Sequence, residues 1–231
     1  MKNKIIIVVS FIILAAFFLT ACTSSQNTDS TEKLKAEIET LNARLKDLEA
    51  ENQELKTQLS QQTDDSSNVL ITALKTMELL KNKEMAKLAK MVHPQKGVRF
   101  SPYFFVDVQN DRIFNAQQVA GLNEDTTVYD WGIYDGIGEP IELTFNDYYE
   151  RFVYDQDFLN PHLIGNNTPI GSGNTVDNVA EAYPDGTFVE FHFTGFEPGY
   201  DGMDWRSLRL VFEQYEGKWY LVGIIHGEWT I

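Results

Sequence analysis

His226 and Glu228 offer the clearest acid–base pair in this sequence. They lie two residues apart near the end of the last predicted strand, and strict alternation gives one face to Tyr220, Val222, Ile224, His226 and Glu228. A histidine with a carboxylate partner on an otherwise apolar face can act as a general base in a pocket. The alternative is that the strand ends there and both side chains emerge into solvent.

His192 leaves the same two interpretations open. On its predicted strand it shares a face with Phe188, Glu190 and Thr194. No histidines have the spacing of metal motifs such as H-x-x-x-H, and no G-x-S-x-G nucleophile elbow occurs. The sequence therefore predicts no metal site and no cofactor, and it assigns no residue firmly to catalysis.

Cys22 is the only cysteine in the chain. It follows the basic residues Lys2 and Lys4 and an apolar run from Ile5 to Leu19. A positive start, an apolar stretch and small residues before a cleavage point are the parts of a signal peptide. As a helix the run is roughly 22 Å long, which is short of the ~30 Å hydrocarbon core of a bilayer. A cleaved signal is therefore favoured over a permanent transmembrane helix.

The order Leu19-Thr20-Ala21-Cys22 resembles the lipobox of bacterial lipoprotein precursors. The resemblance implies export, transfer of a diacylglycerol to the Cys22 sulfur, and removal of residues 1–21. The mature chain is then expected to sit on the extracytoplasmic side of the cell membrane, with each buried acyl CH₂ contributing about 0.8 kcal/mol. An acylated Cys22 leaves no thiol for a disulfide, so the folded part must be stabilised by its core.

The charge is negative and unevenly distributed. The full chain carries a formal net charge of −15, which excludes nucleic acid as an expected partner. Residues 97–231 contain six basic and twenty-two acidic side chains, whereas residues 69–96 contain six lysines against two glutamates. We expect this basic helical segment to dock on the acidic body.

The first 93 residues contain neither glycine nor proline, which predicts a helical N-terminal part. Residues 22–31 form a polar tether behind the lipid. Residues 32–62 carry a heptad pattern, with a positions at Ile38, Leu45, Asn52 and Leu59 and d positions at Leu34, Leu41, Leu48 and Leu55.

Leucine at d with one asparagine at a favours a parallel homodimer, whose register Asn52 would set. In that pairing, Arg44 meets Glu49 of the other helix and Glu51 meets Lys56. The alternatives are a single amphipathic helix that packs on its own domain, or a solvated stalk.

Residues 63–68 form a linker, and residues 69–231 form one α+β domain. The pattern predicts helices at 69–92, 115–122 and 144–153, a hairpin of 128–134 with 141–143, and strands at 98–100, 103–106, 175–183, 187–195, 205–215 and 218–229. Short turns join the last strands, which makes the sheet mainly antiparallel, with the long helix packed on it.

This layout resembles the NTF2-like or cystatin-like cone. The likeness is in the opening helix that runs into Val92-His93-Pro94 and in the closing pair of segments, 205–212 and 217–225. That family includes small enzymes, ligand-binding cones and accessory modules, so the resemblance implies a fold without one activity. No residue role is carried over from the family to this chain.

Three functions remain open. The first is a membrane-anchored extracytoplasmic lipoprotein that presents a domain for an unknown ligand or protein partner on a coiled-coil stalk. The second is a small extracytoplasmic enzyme, hydrolase-like, which uses a pocket with His226, Glu228 and His192. The third is an assembly or scaffold protein whose function is the coiled coil. Trp131, Tyr134, Trp205 and Trp229 fit either stacking on sugars or core packing.

Overall fold

The computed structural model describes residues 31–54 and 68–230. The chain divides into two compact units, Met1–Gln62 and Thr63–Ile231, and each is described by itself. The predicted signal peptide (1–21), Cys22, the tether up to residue 30 and the linker residues 63–67 lie outside the described residues.

In the first unit, residues 31–54 form one helix, α1. It covers most of the predicted coiled-coil segment, and its register residue Asn52 lies on it and is exposed. The heptad side chains Leu34, Ile38, Leu41, Leu45 and Leu48 are each more than half exposed. Residues 55–62 lie outside the described part, so the coiled coil and its dimer stay predictions.

The second unit is an α+β domain built on an open sheet, which confirms the predicted fold class. The strands are β1 Val98–Ser101, β2 Arg112–Phe114, β3 Tyr129–Ile133, β4 Pro140–Leu143, β5 Leu163–Asn166, β6 Thr187–Phe193, β7 Arg206–Tyr215 and β8 Lys218–Glu228. Six of them form one sheet in the order β2-β1-β8-β7-β6-β5, and β3 pairs with β4 separately. All described neighbours are antiparallel except the parallel pair β1–β8.

The helices of this unit are α2 Val69–Lys81, α3 Met85–Leu88, α4 Ala116–Gly121, α5 Phe145–Phe152 and α6 Val179–Ala182, with 3-10 turns at Leu122–Glu124 and Pro198–Tyr200. Asparagine or threonine caps start three of them, because each side chain accepts backbone N–H groups of the first turn: Asn68, Asn115 and Thr144. No helix among the described residues is both long enough and apolar enough to cross a bilayer.

The predicted helix 69–92 is too long, since α2 ends at Lys81. Lys83 adopts a left-handed φ of 50°. The Lys83 N–H then donates to the Leu80 carbonyl and the Glu84 N–H to the Leu79 carbonyl, both at 2.9 Å. These two bonds form a Schellman C-cap, which usually uses glycine at this position. Because lysine is not typical of this position, the sequence does not predict that the helix ends here.

Two other predicted strands are wrong. Residues 103–105 form bends, and the N–H and C=O groups of Val106 bond to the side chain of Asn178 instead of to a strand. Part of the segment 175–183 is the helix α6. The short edge strands β2 and β5 were not among the predicted elements.

Both faces of the sheet are covered. The first face packs on α2, α5 and the β3–β4 hairpin, with Trp131 and Tyr148 at the centre of the large cluster. The second face packs on Phe104, Val179 and Trp205. The predicted docking of the basic segment is confirmed, because Lys81 pairs with Asp157 at 2.8 Å and Lys83 with Glu150 at 3.3 Å.

A β-bulge between β7 and β8 sets which side chains share a face at the end of β8. Val211 pairs with Gly223 and Phe212 with Leu221, which leaves Val222 as an extra residue on β8. Val222 therefore packs in the second-face cluster, whereas Leu221 and Ile224 belong to the first. The prediction that Tyr220 and Val222 share the face of His226 and Glu228 is wrong for this reason.

Candidate functional site

The domain carries a groove of about 1170 Å³. Three segments distant in sequence form it: the loop from Pro102 to Arg112, the hairpin from Asp130 to Pro140, and the stretch from Asn174 to Val176. We call this feature the groove. It lies beside the end of β1, where the loop between β1 and β2 begins.

Polar contacts hold the loop side of the groove in place. Arg99 on β1 donates through Nη1 to the Asp107 carbonyl at 3.2 Å. The Asp107 carboxylate accepts the N–H groups of Gln109 and Asn110, which closes a tight turn. Val106 exchanges two hydrogen bonds with the side chain of Asn178, at 2.7 and 3.0 Å. The loop is therefore tied to both the sheet and the start of α6.

The hairpin side is held by aromatic packing. Trp131 stacks on Tyr148 of α5, with ring centroids 3.8 Å apart, and its indole N–H donates to the Leu143 carbonyl at 2.9 Å. At the hairpin turn, Asp135 Oδ2 accepts from the hydroxyls of Thr175 and Thr230 at 2.7 and 2.8 Å. These bonds connect the hairpin to the third segment of the groove.

The lining combines carboxylates with exposed apolar side chains. Its described carboxylates are Asp107, Asp111, Asp130 and Asp135, and the one cation among its lining residues is Arg112. Its apolar side chains Phe105, Ile133, Ile137 and Val176 are each at least half exposed. Arg112 is already engaged, since Nε donates to the Asp130 carbonyl at 2.7 Å and the guanidinium lies 5.6 Å from the Tyr129 ring centre.

Asp111 is the most buried of these carboxylates. Burial raises its pKa to about 6, although the Ser101 hydroxyl and Arg99 act in the opposite direction. Tyr148 lies close enough for the Asp111 charge to act on it, and burial is the main reason that the pKa of Tyr148 is raised well above 10. The Tyr148 hydroxyl has no hydrogen-bond partner among the described residues. Asp111 thus lines the groove as a carboxylate that is costly to ionise, while the Tyr148 hydroxyl lies buried outside the lining.

His226 and Glu228 lie behind the groove and do not line it. Both are buried, so the expectation that they emerge into solvent is wrong. The ring nitrogens of His226 contact the Pro102 carbonyl and Asp155 Oδ2, each at 3.3 Å. Arg206 bridges Asp155 and Glu228 at 3.2 Å each, and Arg151 lies 2.5 Å from Glu228.

This cluster fixes the wall of the groove through Pro102. His226 and Arg206 lower the pKa of Asp155 enough to outweigh the effect of its burial. The carboxylate is therefore charged at neutral pH and compensates the arginines around it. His226 and Glu228, the predicted acid–base pair, thus belong to one cluster. Their ionic partners there are Asp155 for His226 and the two arginines, Arg151 and Arg206, for Glu228.

His192 lies on the opposite face of the sheet, with Glu190, as its strand pattern predicted. Its Nδ1 is 2.7 Å from the Ser207 hydroxyl, which donates to Glu190 Oε1 at 2.7 Å. Glu190 also accepts from Arg209 Nε at 2.9 Å and from the N–H groups of Ile170 and Gly171. Burial lowers the pKa of His192, so the ring is neutral near pH 7.

The order of this second cluster is unsuited to nucleophilic catalysis. Serine lies between the histidine and the carboxylate, whereas a catalytic triad places histidine between the other two. Glu190 accepts four hydrogen bonds from described donors, and two of them come from the N–H groups of Ile170 and Gly171. Its role is therefore to attach the 170–171 segment to the sheet. His192 and His226 thus lie on opposite faces and form no common site.

Comparison with known proteins finds no matching family model, no similar curated protein and no similar solved structure. The lipobox and NTF2-like resemblances stay predictions. Among the described residues, no group of three or more His, Cys, Asp or Glu side chains is placed to hold a metal ion.

The sequence contained one indication of the groove. Asp135-Gly136-Ile137-Gly138 predicts a hairpin turn, and all four residues line the groove. Nothing in the sequence brings Asp111 next to this hairpin. Trp131 and Tyr134, considered for sugar stacking, do line the groove, and Trp131 is fully buried.

Proposed function

We propose that this protein is a membrane-anchored extracytoplasmic lipoprotein whose α+β domain binds a ligand in the groove. The observation that supports this most directly is the lining itself. A soluble surface gains nothing from exposing four large apolar side chains beside carboxylates in one concavity, and such patches are typical of interaction sites.

The position of the histidines favours binding over catalysis. His226 and Glu228 are engaged with Asp155, Arg151 and Arg206 behind the groove wall. A general base must reach the proton that it removes, directly or through one water. With these groups held in ion pairs, the groove is left with aspartates and tyrosines, which suit recognition of a ligand.

The lipobox supports anchoring through Cys22, and the helix supports a stalk. At 1.5 Å per residue, residues 32–62 would span about 46 Å as one helix. The exposed stripe of Leu34, Ile38 and the following heptad leucines supports a parallel homodimer, because a single helix leaves these side chains in water. Confinement to one membrane raises the effective concentration of such a pair.

Anchoring is tested by expressing the full chain in bacteria and supplying a clickable fatty acid. We expect the parent protein to carry the label and to sediment with membranes. The Cys22→Ser variant should carry no label. A Cys22→Ser protein that still takes up the label would refute lipidation at this residue.

Binding in the groove is tested on the lipid-free chain from residue 22 with Cys22→Ser. The thermal midpoint Tm is measured against a panel of short basic, acidic and neutral peptides and of cell-wall-type oligosaccharides, since a ligand of the native state raises Tm. Ile133→Ser removes an apolar groove side chain, and Val128→Ser is its matched control. Ile133 and Val128 are both 61% exposed and β-branched, and Val128 lies outside the lining.

We expect at least one class of probe to raise Tm in the parent and in Val128→Ser, with a smaller shift in Ile133→Ser. If every shift is the same in the two variants, the groove is not the binding site.

A further inference from the structure

We propose that the groove binds a basic peptide segment in extended conformation, with cationic side chains against its carboxylates and apolar side chains on its rim. This rests on the proposed function, because it names the ligand class for the same groove.

The charge of the lining selects a cation. The lining has four described carboxylates and one guanidinium, that of Arg112. The Arg112 side chain is held by the Asp130 carbonyl and the Tyr129 ring. Asp130 and Asp135 are exposed at the rim, while Asp111 is largely buried at the floor. A negative potential concentrated in a concavity raises the local concentration of cationic ligands and repels anionic ones.

The apolar side chains exclude a ligand that offers charge alone. Phe105 and Val176 lie on two sides of the groove, and Ile133 and Ile137 belong to the hairpin. Each can gain burial only if the ligand brings apolar surface of its own. Alternating cationic and apolar side chains meet both demands, since successive residues of an extended chain point in opposite directions.

A strand edge at the groove favours a peptide. Among the described residues β3 pairs with β4 alone, and the consecutive residues 130–133 of β3 line the groove. An unpaired edge is a template for strand addition. Side chains hold two groups near this edge: the Asp130 carbonyl accepts from Arg112, and the Gly132 N–H donates to Asp130 Oδ1 at 3.0 Å. Strand addition would exchange such bonds for backbone ones.

The size of the groove favours a peptide over a small molecule. The volume of about 1170 Å³ exceeds the roughly 300–1,000 Å³ of small-molecule pockets. The Trp131 ring offers no stacking face for a sugar, because it is fully buried with one face against Tyr148.

The probe is an acetylated and amidated octapeptide of alternating lysine and valine, titrated by calorimetry into the lipid-free Cys22→Ser chain. We expect saturable binding that weakens as salt is raised. Asp130→Asn keeps the acceptor for Gly132 and should weaken binding by roughly 1.5- to 5-fold, the range for one exposed ion pair. Ile133→Ser should weaken it by about tenfold, as expected for one aliphatic side chain left unburied.

The controls are Asp185→Asn and Val128→Ser, which change exposed residues of the same types outside the lining. Two further probes test the recognition. An alternating glutamate–valine octapeptide should not bind, because it inverts the charge. A lysine–valine peptide with alternate backbone nitrogens methylated should lose most of its affinity, because it cannot form the strand ladder.

The outcomes separate the two proposals. The glutamate–valine peptide or a glucosamine oligosaccharide could bind more tightly than the lysine–valine peptide. If Ile133→Ser also weakens that binding, the groove is a binding site for another class of ligand, and the basic-peptide proposal fails. If the methylated peptide binds as well as its parent, strand addition fails. If Ile133→Ser changes the binding of no probe, both proposals fail.

Discussion

Replacing Asp111 with asparagine removes a charge that the native state holds at a cost. Burial raises the pKa of this carboxyl from its ordinary 3.8 to about 6. A difference of about two pH units corresponds to about 3 kcal/mol. Asparagine keeps an oxygen that can accept the Asp107 N–H, which lies 3.0 Å from Asp111 Oδ2. We therefore expect Asp111→Asn to be more stable than the parent by up to about 3 kcal/mol at about pH 8.

Proton linkage gives the dependence on pH. Between about pH 4 and 6, the native state holds a proton on Asp111 that the unfolded state has lost, so this group makes the protein less stable as the pH rises. Below that window the carboxyl is protonated in both states. The stability difference between Asp111→Asn and the parent should therefore be small near pH 4, increase up to about pH 6, and stay constant above pH 6.

The assay is urea unfolding followed by tryptophan fluorescence at a series of pH values on the lipid-free Cys22→Ser chain. The groups that act on or respond to Asp111 are Ser101, Arg99, Asp107, Tyr148 and Tyr183, and none of them is altered. Asp185→Asn serves as the exposed control. If Asp111→Asn is no more stable than the parent at any pH, the ionised carboxylate is well stabilised and the groove does not hold it at a cost.

Three further predictions concern the rest of the chain. Arg209→Met should cost about 3–5 kcal/mol, because it leaves the fully buried Glu190 without its arginine partner, and chemical denaturation measures this loss. Gly227→Ala should destabilise by about 1–3 kcal/mol, since a Cβ there would lie 2.3 Å from the Phe104 ring; Gly121→Ala, with open space around it, should not. Parallel dimerisation through residues 32–62 should be detectable by sedimentation at high micromolar concentration, and it should strengthen in Asn52→Leu. A parent chain that stays monomeric at that concentration would exclude the coiled-coil dimer.

The sequence predicts the elements whose cues are local. Thr144 caps α5, Asn115 starts α4, and the turn after Tyr134 joins β3 to β4, because each cue acts over a few residues. The same local cues fail at Lys83, where a residue other than glycine or asparagine takes the left-handed conformation that ends α2.

The site was much less predictable. The bulge at Val222 shifts the alternation of β8 by one residue, and its cause lies in the pairing with β7. The groove joins segments near residues 107, 133 and 175, which only the folded topology brings together. His226 is a titratable residue visible in the sequence, whereas the raised pKa of Asp111 comes from its burial in the folded domain, against the opposing effects of Ser101 and Arg99 on β1.

The position of β8 in the sheet affects how the domain can be made. β8 follows every other described strand in the sequence, yet it lies between β1 and β7 in the sheet. Among the described strands, it alone joins the pair β2–β1 to the strands β7, β6 and β5. Until residues 218–228 leave the ribosome, the sheet exists as two separate parts, each with an unpaired edge where β8 belongs. A chain cut before Lys218 should therefore be insoluble, and nascent chains halted there should remain sensitive to protease.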